Sequence, residues 1–108
     1  VDTSDFIVVL VTSPSAEEGE KLASTLIDER LAACVNVIPV TSFFRWEGKA
    51  CKESERLLVI KTRGSLFENL EKRVRELHSY DVPEIIALPM IAGSRGYLDW
   101  IEESVSEG

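Results

Sequence analysis

The sequence predicts an α+β fold: an antiparallel sheet in split βαββαβ, ferredoxin-like order, with helices on one face and a short C-terminal helix added. Three observations predict it. Strand-like apolar runs and segments of helical period follow one another as β-α-β-β-α-β. The second and third strands face each other across a short turn and are each about a dozen residues long, against a usual 5 or 6. The 108 residues, 44% hydrophobic and 29% charged, suit one globular domain covering residues 1–108.

Residues 5–12 hold Phe6-Ile7-Val8-Val9-Leu10-Val11, rich in β-branched side chains, and predict the first strand. Pro14 suits a first helical turn, Ser15 and Glu18 match a capping box, and Leu22, Ala23, Leu26 and Ile27 recur at helical spacing. The first helix is expected to reach about Leu31. Residues 32–46 then read as a long strand closed by Glu47-Gly48-Lys49, with Gly48 free to take a positive φ. Residues 51–62 form its partner. Pro39 has no N–H for a ladder, so it is expected to mark a bulge, an edge or a kink that divides the first arm. Leu66, Leu70, Val74 and Leu77 share one helical face, and this second helix is expected to end near His78. A loop with Pro83 leads to a last strand over residues 85–91. Tyr97, Leu98, Trp100, Ile101 and Val105 predict the terminal helix. No internal repeat or low-complexity segment is present.

Continuous apolar runs in the first strand, in residues 57–60 and in residues 85–88 indicate strands covered on both faces. Two helices and a short third cover one. The second face is therefore expected to meet another subunit, although loops and the terminal helix folding back over it would satisfy the same pattern. An arm longer than its domain can also pair with a neighbour's edge strand.

The net charge of −7 argues against a nucleic-acid partner, because phosphate binding rests on clustered Lys and Arg. Residues 57–62 carry none of the aromatics that RNA-binding members of this architecture place on a central strand. The longest apolar run, residues 6–11, is far short of the roughly 20 needed to span a bilayer. Residues 1–5 do not read as an export signal, and two cysteines do not make a disulfide scaffold, so a cytoplasmic protein is expected.

A two-residue turn at Glu47-Gly48 would pair Trp46 with Lys49, Phe44 with Cys51, and Cys34 with Lys61. The cysteines would then lie ten residues apart, roughly 33 Å at the usual strand rise, too far for an intrachain disulfide or a shared metal. Cys34 reads as a small buried apolar residue and Cys51 as the more exposed thiol. His78 is the only histidine, so one chain offers no paired-ligand metal motif, and a capping or loop-packing role competes with ligation. Asp81, Glu84, Glu47 and Glu53 are oxygen donors that a symmetric trimer could bring together, and oxygen ligands favour hard cations. No nucleophile elbow, phosphate loop or triad spacing is present, so an enzyme is not expected and no cofactor is required.

Six motifs, Val11-Thr12-Ser13-Pro14, Leu31-Ala32-Ala33-Cys34-Val35-Asn36, Trp46-Glu47-Gly48-Lys49, Lys61-Thr62, Leu77-His78-Ser79-Tyr80-Asp81-Val82-Pro83-Glu84-Ile85 and Tyr97-Leu98-Asp99-Trp100-Ile101, stand in order along nearly the whole chain. In them the sequence resembles the CutA divalent-cation-tolerance proteins. The resemblance implies a homotrimer of ferredoxin-like subunits, similar to the PII signalling proteins, with long hairpins reaching into neighbours. It also implies a response to divalent metals, with copper binding in some members. His78 and Cys34 are the candidate metal residues, and Lys61, Tyr80, Asp81, Glu84 and Trp46 are candidates for the clefts between subunits. Some copper-binding members carry a cysteine at the position of Val11 and a histidine pair at Leu77-His78, so only His78 of that set is present, and Ser79 replaces a proline. That copper site is therefore not implied here, while interchain binding of a divalent cation is left open. The competing reading is a PII-like regulator that binds a small metabolite near Lys61, Tyr80 and Glu84.

Overall fold

The computed structural model describes residues 5–106, so the reading of the first four residues as free of an export signal lies outside it. In chain order the elements are β1 (Phe6–Ser13), α1 (Ala16–Asp28), β2 (Cys34–Trp46), β3 (Lys49–Arg63), a single 3-10 turn (Gly64–Leu66), α2 (Phe67–Leu77), β4 (Ile85–Pro89) and α3 (Arg95–Ser104). The sheet runs β2-β3-β1-β4 with every neighbouring pair antiparallel.

Strand alternation decides which face each element covers. Ile7, Val9 and Val11 point to one side, where with Leu58 and Ile60 they pack against Leu22 and Leu26 of α1 and Leu70 and Val74 of α2. Phe6, in the opposite phase, is buried with Leu98 and Ile101 of α3. The terminal helix thus folds back over one end of the second face and no further. Ile38, Ile86 and Leu88 share the phase of Phe6 and remain 42%, 49% and 48% exposed.

Helix α1 stops at Asp28 instead of reaching Leu31. Arg30 takes a φ of 58°, and the Leu31 and Ala32 N–H groups both turn back to the Leu26 carbonyl. The Arg30 guanidinium holds that bend by donating to the carbonyls of Glu103 and Val105, at 3.1 and 3.3 Å. At the other end, Ser15 Oγ accepts from the Glu18 N–H at 3.1 Å as an N-cap. Pro14 precedes that cap and lies outside the first turn. One turn further on, Gly19 lets α1 approach β1: a Cβ there would come within 2.9 Å of Ser13 Oγ.

The hairpin has the predicted register, Trp46 with Lys49, Phe44 with Cys51 and Cys34 with Lys61. Positive φ at both Glu47 and Gly48, 50° and 79°, is the turn geometry that matches strand twist. Both cysteines are free thiols, and each is partly exposed, so Cys34 is less enclosed than its apolar neighbours suggest. Pro39 pairs with Arg56 in an unbroken ladder, so the arm is not divided. Its place is explained by β2 being an edge strand. β1 ends where Ser13 meets Arg56, so β3 from Lys49 to Glu55 has only β2 beside it, a two-stranded ribbon of roughly 24 Å. β4 ends at Pro89, two residues before the expected Ile91, with one further bond from the Met90 N–H to the Phe6 carbonyl.

Candidate functional site

The polar residues gather where β1 ends, α2 stops and the ribbon begins. His78 is the C-cap of α2, its N–H bonded to the Val74 carbonyl at 2.8 Å. Its side chain is fully buried. Nδ1 receives the Tyr80 backbone N–H at 3.0 Å, and a backbone N–H can only donate. Nε2 therefore carries the proton and donates it to the Thr12 carbonyl at 2.6 Å. His78 thus ties the loop of residues 78–84 to the end of β1.

Two carboxylates secure the same loop. Glu18 Oε2 accepts the Ser79 N–H at 3.2 Å and lies 3.4 Å from His78 Nδ1. The carboxylate expected to close a capping box on Ser15 thus serves the loop. Tyr80 carries its ring beside the imidazole, centroids 4.9 Å apart, and its hydroxyl donates to Glu55 Oε2 at 3.0 Å. Burial, then the Glu55 hydrogen bond, then the charges of Glu55, Glu53 and Glu18 push the Tyr80 phenol up to about 12. Beside this network lies an open groove of about 460 Å³ between α2, with Glu68, Lys72 and Arg75, and the loop at Tyr80 and Asp81.

The other candidates lie elsewhere. Cys34 and Lys61 are level with Val8, four residues along β1 from Thr12, or roughly 13 Å. There the Lys61 ammonium meets Asn36 Oδ1 and sits 4.0 Å from Cys34 Sγ. Tyr97 of α3 joins them, its phenol pKa raised by burial and then by the charge and hydrogen bond of Cys34. Glu84 is exposed just before β4, and Trp46 is 62% exposed at the hairpin tip. One chain therefore assembles His78, Tyr80 and Asp81 and leaves Cys34, Lys61 and Trp46 apart. Among the described residues no three His, Cys, Asp or Glu side chains are grouped to hold a metal ion. Copper, which some members of the resembled family bind, does not fit His78 as it stands, because neither ring nitrogen has a free lone pair.

Glu18 and Glu55 were not singled out from the sequence as site residues. The signal for Glu55 is its phase: it stands two residues before Leu57 and four before Val59, a carboxylate continuing an apolar face. Glu18 has no such signal, because its capping-box spacing accounts for it fully.

Among the described residues no helix is long and apolar enough to cross a membrane. The family model for the CutA1 divalent ion tolerance protein matches residues 7–104. Protein CutA, chloroplastic, of Arabidopsis thaliana is 54% identical over 99 residues, covering 91% of this chain and 54% of that protein. The chain thus spans about half the length of that plant relative. The divalent-cation tolerance protein CutA of Thermus thermophilus is 50% identical over 90% of this chain and 95% of its own. The crystal structure of CutA1 from Oryza sativa superposes with a TM-score of 0.95 at 48% identity, covering all of both chains. The fold, the motifs and these matches agree, and the chain belongs to the CutA1 divalent ion tolerance family.

Proposed function

We propose that this chain acts in the response to divalent metal ions as a non-catalytic cytoplasmic homotrimer whose cation contacts form between subunits. Family membership supports the metal response. The observation that carries the assembly is the second sheet face, where Ile38, Ile86 and Leu88 lie 42–49% exposed beyond the reach of α3. Such a patch on a soluble chain is a surface for another protein. Light scattering over a range of concentrations tests it, with a trimer mass expected and a monomer at micromolar concentration refuting it. Calorimetric titration of that trimer with Cu(II), Zn(II) and Mg(II) tests the metal reading, which fails if no ion binds below millimolar.

The groove beside Tyr80 favours one second reading, a PII-like regulatory trimer holding a small metabolite there. Lys72 and Arg75 among the carboxylates of Glu68, Glu71, Glu76 and Asp81 would suit a ligand carrying both charges. Co-purified density in the groove would support it, and a groove filled by a neighbour's side chains would exclude it.

A further inference from the structure

Tyr80 and Glu55 form a site that their own chain leaves incomplete. Glu55 is only 5% exposed, yet none of the ion pairs among the described residues includes it. Its carboxylate takes one hydrogen bond, from the Tyr80 hydroxyl. Glu53 and Glu18 add negative charge around that phenol. The carboxylate oxygen that Tyr80 leaves free, set among other carboxylates, is open to a cation from outside the chain.

The hairpin tip is the complement. In a chain of net charge −7, residues 43–52 carry Arg45, Lys49 and Lys52 against Glu47 alone. Arg45 donates to the Gly48 carbonyl at 3.2 Å, and Lys52 lies 5.7 Å over the Phe43 ring. The Lys49 side chain has no partner among the described residues. It stands opposite Trp46, which is 62% exposed. Lys49 cannot serve its own Glu55, because six residues of extended strand, roughly 20 Å, separate them.

We propose that Lys49 of one copy pairs with Glu55 of a second copy, with Trp46 laid against Tyr80, so that each hairpin tip completes the site at the base of the next hairpin. The lysine supplies the missing cation, and an offset contact of the two rings covers apolar surface on both sides. Tip and site are different patches, so the contact is head-to-tail and closes into a ring when the rotation allows. The inference rests on the homotrimer proposed above and names the residues that one subunit contributes to another.

A double-mutant cycle on the full chain tests it, with Lys49→Met, Glu55→Gln and both together. Thermal midpoints are read at one protein concentration, and mass is read by native mass spectrometry. Each single variant is expected to lower the midpoint by roughly 4–8 °C, and the double variant no further than the larger single, because both remove one contact. Additive shifts in an intact trimer overturn the Lys49–Glu55 contact and leave the trimer standing. A monomeric parent chain overturns both. If Glu55→Gln is not recovered folded, Lys49→Glu is compared with Lys49→Met, and a midpoint for Lys49→Glu no lower than that of Lys49→Met counts against the proposal, because a carboxylate set against Glu55 must repel it.

Discussion

Replacing Tyr80 by Phe removes one hydroxyl and keeps the ring, which makes it a clean probe of the loop that gathers the candidate site. The hydroxyl donates to a carboxylate that is 5% exposed, at 3.0 Å. A hydrogen bond to a charged group contributes about 1.5–3 kcal/mol. Tyr80 is 39% exposed, so water replaces part of the loss and about 1 kcal/mol is expected at neutral pH. That lowers the midpoint by roughly 4–8 °C. The pH dependence gives a second reading of the same bond. The phenol is raised from 10.0 to about 12 in the folded chain. Between those values the folded state keeps a proton that the unfolded state releases. The stabilisation is therefore fully present below pH 10 and is lost as pH rises through about 12. Two units at about 1.36 kcal/mol each set a ceiling near 2.7 kcal/mol, discounted to about 1 kcal/mol for the exposed ring. Thermal melts of parent and Tyr80→Phe at neutral pH, pH 10 and pH 12 give the difference directly, since every other group is common to both. A variant melting with the parent at neutral pH, or a difference that does not shrink between pH 10 and pH 12, refutes the reasoning.

Two further perturbations address the frame around the site. Gly19→Ala places a Cβ 2.9 Å from Ser13 Oγ, which is buried and bonded to the Ser15 carbonyl at 2.8 Å. Helix propensity returns about 1 kcal/mol of the roughly 1–3 kcal/mol overpacking cost. Denaturant melts should therefore show a net loss, and an unchanged midpoint would mean that the approach of α1 to β1 is slack. Ile86→Asp sets a charge in the exposed apolar patch of the second sheet face, at a residue 49% exposed on the edge strand β4, leaving the core residues against α1 and α2 untouched. Light scattering should then read a folded species of monomer mass. An unaltered mass would place the subunit interface elsewhere.

The hairpin was the most legible part of the chain because its chemistry is local. Glu47-Gly48 can adopt two successive left-handed residues, that turn admits one register, and the register alone places Cys34 and Cys51 far apart. The end of α2 at His78 was legible for the same reason, a periodic apolar face that runs out. The end of α1 was not, because Arg30 is held in its turn by carbonyls more than seventy residues away in the C-terminal segment. The site was half legible. His78 and Tyr80 stand out by type and by motif, whereas the carboxylates that hold them come from α1 and β3. Pairing Glu18 with Ser79 and Glu55 with Tyr80 requires the strand order to be known, and no local pattern announces it.

His78 decides where metal chemistry can reside. It is the one member of the copper-ligand set named by the resemblance that this chain retains, and in the fold its lone pair is already taken. Ligation at Nδ1 must displace the Tyr80 N–H, and ligation at Nε2 must strip the proton given to the Thr12 carbonyl. Leaving a buried partner unsatisfied costs about 1–3 kcal/mol, which weakens a site roughly 5- to 140-fold before any further ligand is found. His78→Ala should therefore lower the melting midpoint by loosening residues 78–84 while leaving Cu(II) affinity in a calorimetric titration unchanged. Loss of a parent-chain Cu(II) site in that variant would show instead that the loop opens to bind metal. On the proposed metal reading, with His78 engaged, cation contacts would fall to the exposed carboxylates of Glu47, Glu53, Asp81 and Glu84, which lie on the hairpin and in the loop. Hard cations would meet them more readily than copper, and subunit packing would decide which of them share an ion.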